Sequence, residues 1–224
     1  LFIQRVKRYK EKTLFITIEG DNVKTVSYNK FWNDLNIISR SIKSLSKNSD
    51  LNIGILSFNQ YKSAAVDLCC LAFGFRVVPI PLNSTREHLS YIINEANVTH
   101  LFIGGDKAIR LFNSASKNHQ IKIIDVNSMG TIKGDAISWD NFLDLGEKNN
   151  SSGVDLSLTN QDMNWISTIM YTSGSTNDPK GIIFNQTNII SKRFARALAL
   201  PDINSNDIFL CYLPLFHTFG RYFE

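Results

Sequence analysis

The chain has 224 residues, of which 43% are hydrophobic and 11% aromatic, and Lys and Arg exceed Asp and Glu by four. That is enough apolar material for one large buried core or two small ones, and it excludes an intrinsically disordered chain. The positive excess is scattered, neither gathered into a basic run nor interleaved with aromatics, so it reads as solvated surface and nucleic acid is not an expected partner.

The opening LFIQRVKRYKEK lacks the apolar centre of a signal peptide, carries no initiator Met, and no stretch has the length of a transmembrane helix. A cytoplasmic location is the expectation, with peripheral membrane contact at most. From Ser27, a candidate N-cap, Phe31, Leu35, Ile38, Ile42 and Leu45 recur at spacings of four and three and predict an amphipathic helix. LNIGILSF (51–58) predicts a strand and YKSAAVDLCCLAFGF (61–75) a closely packed helix. RVVPIPL (76–82) is strand-like, with Pro79 and Pro81 pushing it toward a sheet edge or a strand end. A helix over TREHLSYIINEANV, a strand at THLFIG, a helix over DKAIRLFNSASKN and a strand at QIKIIDV continue the alternation. The last of these is apolar enough to suggest burial on both faces.

Strands alternating with helical segments predict an α/β fold: mostly parallel sheets covered by helices, with right-handed crossovers. Residues 1–126 form the expected first α/β subdomain. Between 127 and 160 the pattern weakens, with one short SWDNFLDL patch, which predicts a loop-rich connector. A second subdomain is expected over 161–224: strands at WISTIMY and IIFNQ, a helix over TNIISKRFARALAL opened by Thr187 or Asn188, and a third strand at DIFLCYLP leading into FHTFG. Cys69, Cys70 and Cys211 have no metal-ligand spacing and read as buried free thiols of a reducing compartment. His88, His100 and His119 likewise lack partner spacing.

The most informative stretch is YTSGSTNDPKG (171–181). Thr172, Ser173, Gly174, Ser175 and Thr176 are all Gly, Ser or Thr, so backbone amides can approach an anion while hydroxyls add donors, and Lys180 adds a positive charge. A plain surface turn would use the same residue types. No Walker or dinucleotide-binding pattern is present, and the apolar IIF after Gly181 predicts a strand; the loop would then join two strands as a hairpin folded over a triphosphate.

This stretch resembles the phosphate-loop signature T-S-G-[ST]-T-x-x-P-K-G of the acyl-adenylate-forming enzymes, which include acyl-CoA synthetases, luciferases and peptide-synthetase adenylation domains. LPLFHTFG (213–220) is similar to that family's next motif, and FGFRVVPIPLNSTREHLSYIINEA resembles the region that ends near its early Glu, here Glu87. The resemblance covers nearly the whole chain and implies the partial N-terminal domain of such an enzyme. It implies attack of a carboxylate on the α-phosphate of ATP, with Mg2+, and capture of the acyl group by coenzyme A. By the same resemblance, Ser173 to Thr176 and Gly181 would hold phosphates, Thr172 would contact the metal, and Lys180 would clamp charge as the catalytic group. Phe216, His217 and Gly220 would line the acyl and adenylate pocket; the other reading of His217 is a satisfied core histidine.

No Asp follows the Phe of LFHTFG, where peptide-synthetase domains hold a substrate amine, and the aromatic setting of FGRYFE looks closest to long-chain acyl-CoA synthetases. Two other readings stay open: adenylation of an aryl or amino acid for a carrier protein, and a non-catalytic nucleotide-binding module. The family's later aromatic-Gly-x-Thr-Glu segment, its ribose-holding Asp and its mobile-domain Lys lie outside these residues, so a longer parent is expected and the fragment alone should not turn over.

The one departure from the loop signature is Asn177, where the family usually has Gly. Asn is the non-Gly residue that best tolerates left-handed backbone. In the complete protein Asn177→Gly is expected to keep adenylation, whereas Asn177→Val lowers it about tenfold, read by ATP–pyrophosphate exchange; equal rates would remove the requirement.

Overall fold

The computed structural model describes residues 2–46, 50–115, 121–149, 162–172, 178–217 and 220–221. It opens with helix α1 (Phe2–Tyr9), a two-stranded antiparallel hairpin of β1 (Thr13–Glu19) and β2 (Asn22–Ser27), and the long helix α2 (Tyr28–Ser44). Ser27 caps α2 as expected, its hydroxyl accepting from the Lys30 amide. The hairpin turns at Gly20, whose φ of 61° suits glycine.

A seven-stranded sheet follows. Its strands are β3 (Asn52–Ser57), β4 (Arg76–Pro79), β5 (His100–Gly104), β6 (Lys122–Asp125), β7 (Ala136–Ser138), β8 (Ile166–Thr172) and β9 (Lys180–Asn185), in the order β7-β6-β5-β3-β4-β8-β9. All neighbours run parallel except β8 and β9. Helices α3 (Tyr61–Phe73), α4 (Arg86–Glu95) and α5 (Asp106–Ser114) link the first strands, α6 (Trp139–Lys148) follows β7, and α7 (Gln186–Ala199) follows β9.

Strand alternation divides the core. Ile53 and Ile55 of β3, Val77 of β4 and Phe102 of β5 face α2, α3 and α6, where Phe31, Leu35, Val66, Cys69 and Phe142 are buried. Leu56, Val78, Leu101 and Ile103 face the opposite way, onto Leu89 and Ile92 of α4 and Ala108 and Ile109 of α5. The first layer is close: a Cβ at Gly146 of α6 would meet the backbone of Ile37 and the hydroxyl of Ser41, so two helices pack where only glycine fits.

Several expectations change in detail. β4 lies inside the sheet, between β3 and β8, and Pro79 is tolerated because it ends the strand. The stretch 127–149 carries β7 and α6, which extend the sheet and pack on α2. α7 is capped by Asn185 in a reciprocal box with Asn188, two or three residues earlier than expected. DIFLCYLP is not a strand: Ile208 and Leu210 are each 81% exposed, and no strand among the described residues pairs with it. Apolar alternation without a partner ladder does not make a strand. Cys69 and Cys70 are buried, but Cys211, on that same stretch, is exposed.

His100 begins β5 and is 1% exposed, with Nδ1 3.0 Å from the Thr99 hydroxyl. Burial, aided by the charge of Lys122, pushes its imidazole down from 6.5 to about 4. The folded protein therefore keeps His100 neutral while an unfolded chain takes up a proton below 6.5. The resulting stability is fully present above that pH and is lost as pH falls toward 4, amounting to about 3 kcal/mol at most. His100→Gln is expected to flatten the decline in melting temperature between pH 6.5 and 4; an equally steep decline would assign it to other groups.

Candidate active site at the carboxyl edge of the sheet

In open parallel sheets, ligands bind where the strands end at their carboxyl edge. Here that edge carries Ser57 from β3, Pro79 from β4, Gly104 from β5 and Thr172 from β8. β9 runs back antiparallel to β8, so Lys180 returns to the same edge and is the register partner of Thr172; Tyr171 faces Gly181. The expected strand–loop–strand hairpin is present, and both stem residues are exposed at its mouth. Ser173, Gly174, Ser175, Thr176 and Asn177 lie outside the described residues.

The stem is fixed from below. Tyr171 is 5% exposed and its hydroxyl donates to the Glu95 carboxylate at the end of α4. A Cβ on Gly181 would come within 3.2 Å of the Tyr171 ring and 3.1 Å of Ile169, so glycine after Lys180 makes room for the buried tyrosine. Inside the strand, the buried Ser167 hydroxyl donates to Phe184 O at 3.1 Å, adding a side-chain tie across the hairpin.

The second motif reaches the same edge by another route. Asn59, just beyond β3, donates to Leu213 O at 2.6 Å and accepts from the Leu215 amide at 3.1 Å, holding the stretch like a strand neighbour. Phe216 lines a small cavity of about 20 Å³ with Ser57, Pro79, Asp67 and Arg221. His217 is exposed, which removes the reading as a core histidine, and its amide donates to Pro214 O at 2.9 Å. Gly220 is buried, and a Cβ there would lie 2.5 Å from Pro214 O and 2.8 Å from Leu213 O. That glycine allows the motif to fold back on its own backbone.

Glu87 is placed elsewhere: it is exposed in the first turn of α4 and paired with Arg86 at 2.5 Å, which holds its carboxyl below the usual range. The sequence reading missed Asn59, Asp67, Thr168 and Arg221. A signal existed for two of them, since Asp67 is the one acid of α3, set between Val66 and Leu68, and Arg221 stands among aromatics; buried charges of this kind need partners. Among the described residues no group of three or more His, Cys, Asp or Glu could hold a metal, and no helix is long and apolar enough to cross a membrane.

A mostly parallel sheet covered by helices on both faces, with an antiparallel β8–β9 pair at its carboxyl edge, defines an α/β domain with its candidate site at that edge. The chain belongs to the AMP-binding enzyme family, whose model matches residues 2–224. It is 26% identical over 224 residues to the rat (Rattus norvegicus) long-chain-fatty-acid–CoA ligase ACSBG2, covering 97% of this chain and 34% of that protein. It is 28% identical over 213 residues to long chain acyl-CoA synthetase 3 of Arabidopsis thaliana, covering 88% of this chain and 31% of the relative. The chain thus spans about a third of the length of these relatives.

Solved structures share the fold, and two serve as examples. One is O-succinylbenzoate coenzyme A synthetase from Bacillus subtilis in complex with AMP, with a TM-score of 0.71 and 19% identity over 99% of this chain and 51% of that one. The other is the fatty acyl-adenylate ligase of Legionella pneumophila in complex with acyl adenylate and pyrophosphate, with a TM-score of 0.71 and 18% identity over 98% of this chain and 35% of that one.

Proposed function

We propose that this chain is the N-terminal part of an ATP-dependent acid–thiol ligase that converts a fatty acid to acyl-AMP and then to its coenzyme A thioester. The observation that carries the reading is the antiparallel β8–β9 stem, which pairs Thr172 with Lys180 at the edge where Phe216 lines a small cavity with Ser57 and Pro79. The likeness to long-chain acyl-CoA synthetases supports the choice of acid.

In the first step a carboxylate oxygen attacks the α-phosphorus of ATP; the new acyl–phosphate bond forms as the bond to pyrophosphate breaks. In the second, a thiol sulfur attacks the acyl carbon, AMP leaves, and the thiol proton passes to solvent. The carboxylate is already ionised, so the first step needs no general base. What the protein must do is hold two anions together and offset the charge growing on the leaving pyrophosphate. Amides and hydroxyls of Ser173, Gly174, Ser175, Thr176 and Gly181 would receive the β- and γ-phosphates, with Lys180 as a point charge beside them.

Thr172 contributes one hydroxyl, with no acidic cluster beside it among the described residues, a donor set suited to Mg2+ held mainly by the nucleotide's own phosphates. The ion would supply charge neutralisation at those phosphates. His217 and Phe216 would border the acyl and adenylate pocket, with Gly220 giving the motif its fold. Residues 1–126 and 161–224 would serve as first subdomain and phosphate-loop subdomain, with 127–160 joining them while its β7 and α6 extend the shared sheet. The location would be cytoplasmic, with a membrane touched only peripherally.

The test is ATP–pyrophosphate exchange by the full-length protein with a panel of carboxylic acids. Medium or long fatty acids should exceed acetate and amino acids, since each buried methylene adds up to about 0.8 kcal/mol. Lys180→Ala should slow adenylation by about two to three orders of magnitude. Silence with every acid would favour a non-catalytic nucleotide-binding module, and a preference for amino or aryl acids would favour a carrier-protein ligase.

A further inference from the structure

Asp67 is 7% exposed on α3 and Arg221 is 4% exposed after the second motif; Arg221 Nη2 lies 2.7 Å from Asp67 Oδ1. The same nitrogen donates to the Thr168 hydroxyl at 3.2 Å, and Thr168 is fully buried on β8, four residues before Thr172. One guanidinium thus joins a helix, the strand that leads into the phosphate hairpin, and the end of the Leu213–Gly220 motif. The motif's other end is held by Asn59, so Phe216 and His217 are suspended between two anchors.

Burying such a pair is expensive. Desolvation raises the Asp67 carboxyl above its usual range, with Arg221 and then Arg193 opposing that rise. A well-packed apolar pair of similar volume would often serve stability as well or better, so a buried ion pair is better explained by what it positions. Arg221 meets both acceptors through Nη2, and its rigid planar guanidinium fixes where that nitrogen lies, whereas lysine carries its charge on a flexible stem.

We propose that Asp67 and Arg221 form a positioning bridge that sets the acid-binding segment 213–217 in register with the phosphate hairpin through Thr168. For the substrate being positioned this rests on the function proposed above, while the bridge itself does not depend on it. Arg221 and Asp67 are positioning residues, not groups that touch reacting atoms.

The experiment uses the full-length protein with Arg221→Lys, Asp67→Asn and the double variant. Arg221→Lys keeps the charge and guards against a variant that cannot fold. Hydrogen–deuterium exchange of the peptide spanning 213–217 should rise about tenfold in each variant, with β3 unchanged. KM for the fatty acid should rise about tenfold while KM for ATP stays within about twofold, and the double variant should be no worse than the worse single. A merely structural role would instead lower melting temperature and active fraction and leave both KM values alone. Unchanged exchange at 213–217, an unchanged KM for the acid, or additive effects in the double variant would overturn the bridge. A wild-type protein that activates no acid would overturn the proposed function instead, and exchange alone would then decide the bridge.

Discussion

Every residue of β3, from Asn52 to Ser57, is buried, and that condition governs the rest of the molecule. A strand enclosed on both faces must be covered by two layers of helices and paired along both edges. The chain meets this with α2, α3 and α6 on one side and α4 and α5 on the other, with β4 and β5 as parallel neighbours. Parallel strands deliver their carboxyl ends to one rim, so the loops that carry chemistry collect there. The position of the site follows from hydrophobic burial before any catalytic residue is considered.

Within that rim, the break in strand direction matters most. β9 runs antiparallel to β8, so Thr172 and Lys180 face each other across a paired stem. Tyr171 hydrogen-bonded to Glu95, with Gly181 making room for its ring, ties that stem to α4. The stem itself presents hydroxyl and ammonium groups outward. The arrangement suits chemistry in which the protein offers little covalent participation and acts through fixed charge and fixed dipoles.

Much of the fold was legible because local and global signals agreed. The Phe31–Leu35–Ile38–Ile42 stripe and the Ser27 cap both named α2, and the apolar runs of β3, β5 and β8 were unmistakable. The β8–β9 pairing was legible because the sequence itself states strand, small polar residues, cation, strand. Other features depend on partners that a linear reading cannot supply. The apolar DIFLCYLP reads as a strand until the absence of a pairing neighbour among the described residues becomes visible. The hairpin of β1 and β2 was passed over although Gly20 and Asp21 between alternating runs signal it. Asn59 and Arg221 are separated from their partners by more than fifty residues, so only the folded chain assigns their roles.

β9 has a further consequence for the segment as a material. It is one of the two edge strands of the sheet among the described residues, and its Ile182 and Ile183 are 45% and 56% exposed. An edge strand with exposed apolar side chains is a template on which another extended chain can pair. Ile208, Leu210 and Tyr212 add a second adhesive stretch nearby in sequence. Any covering of these side chains would have to come from this margin of the sheet, where the apolar surface is exposed.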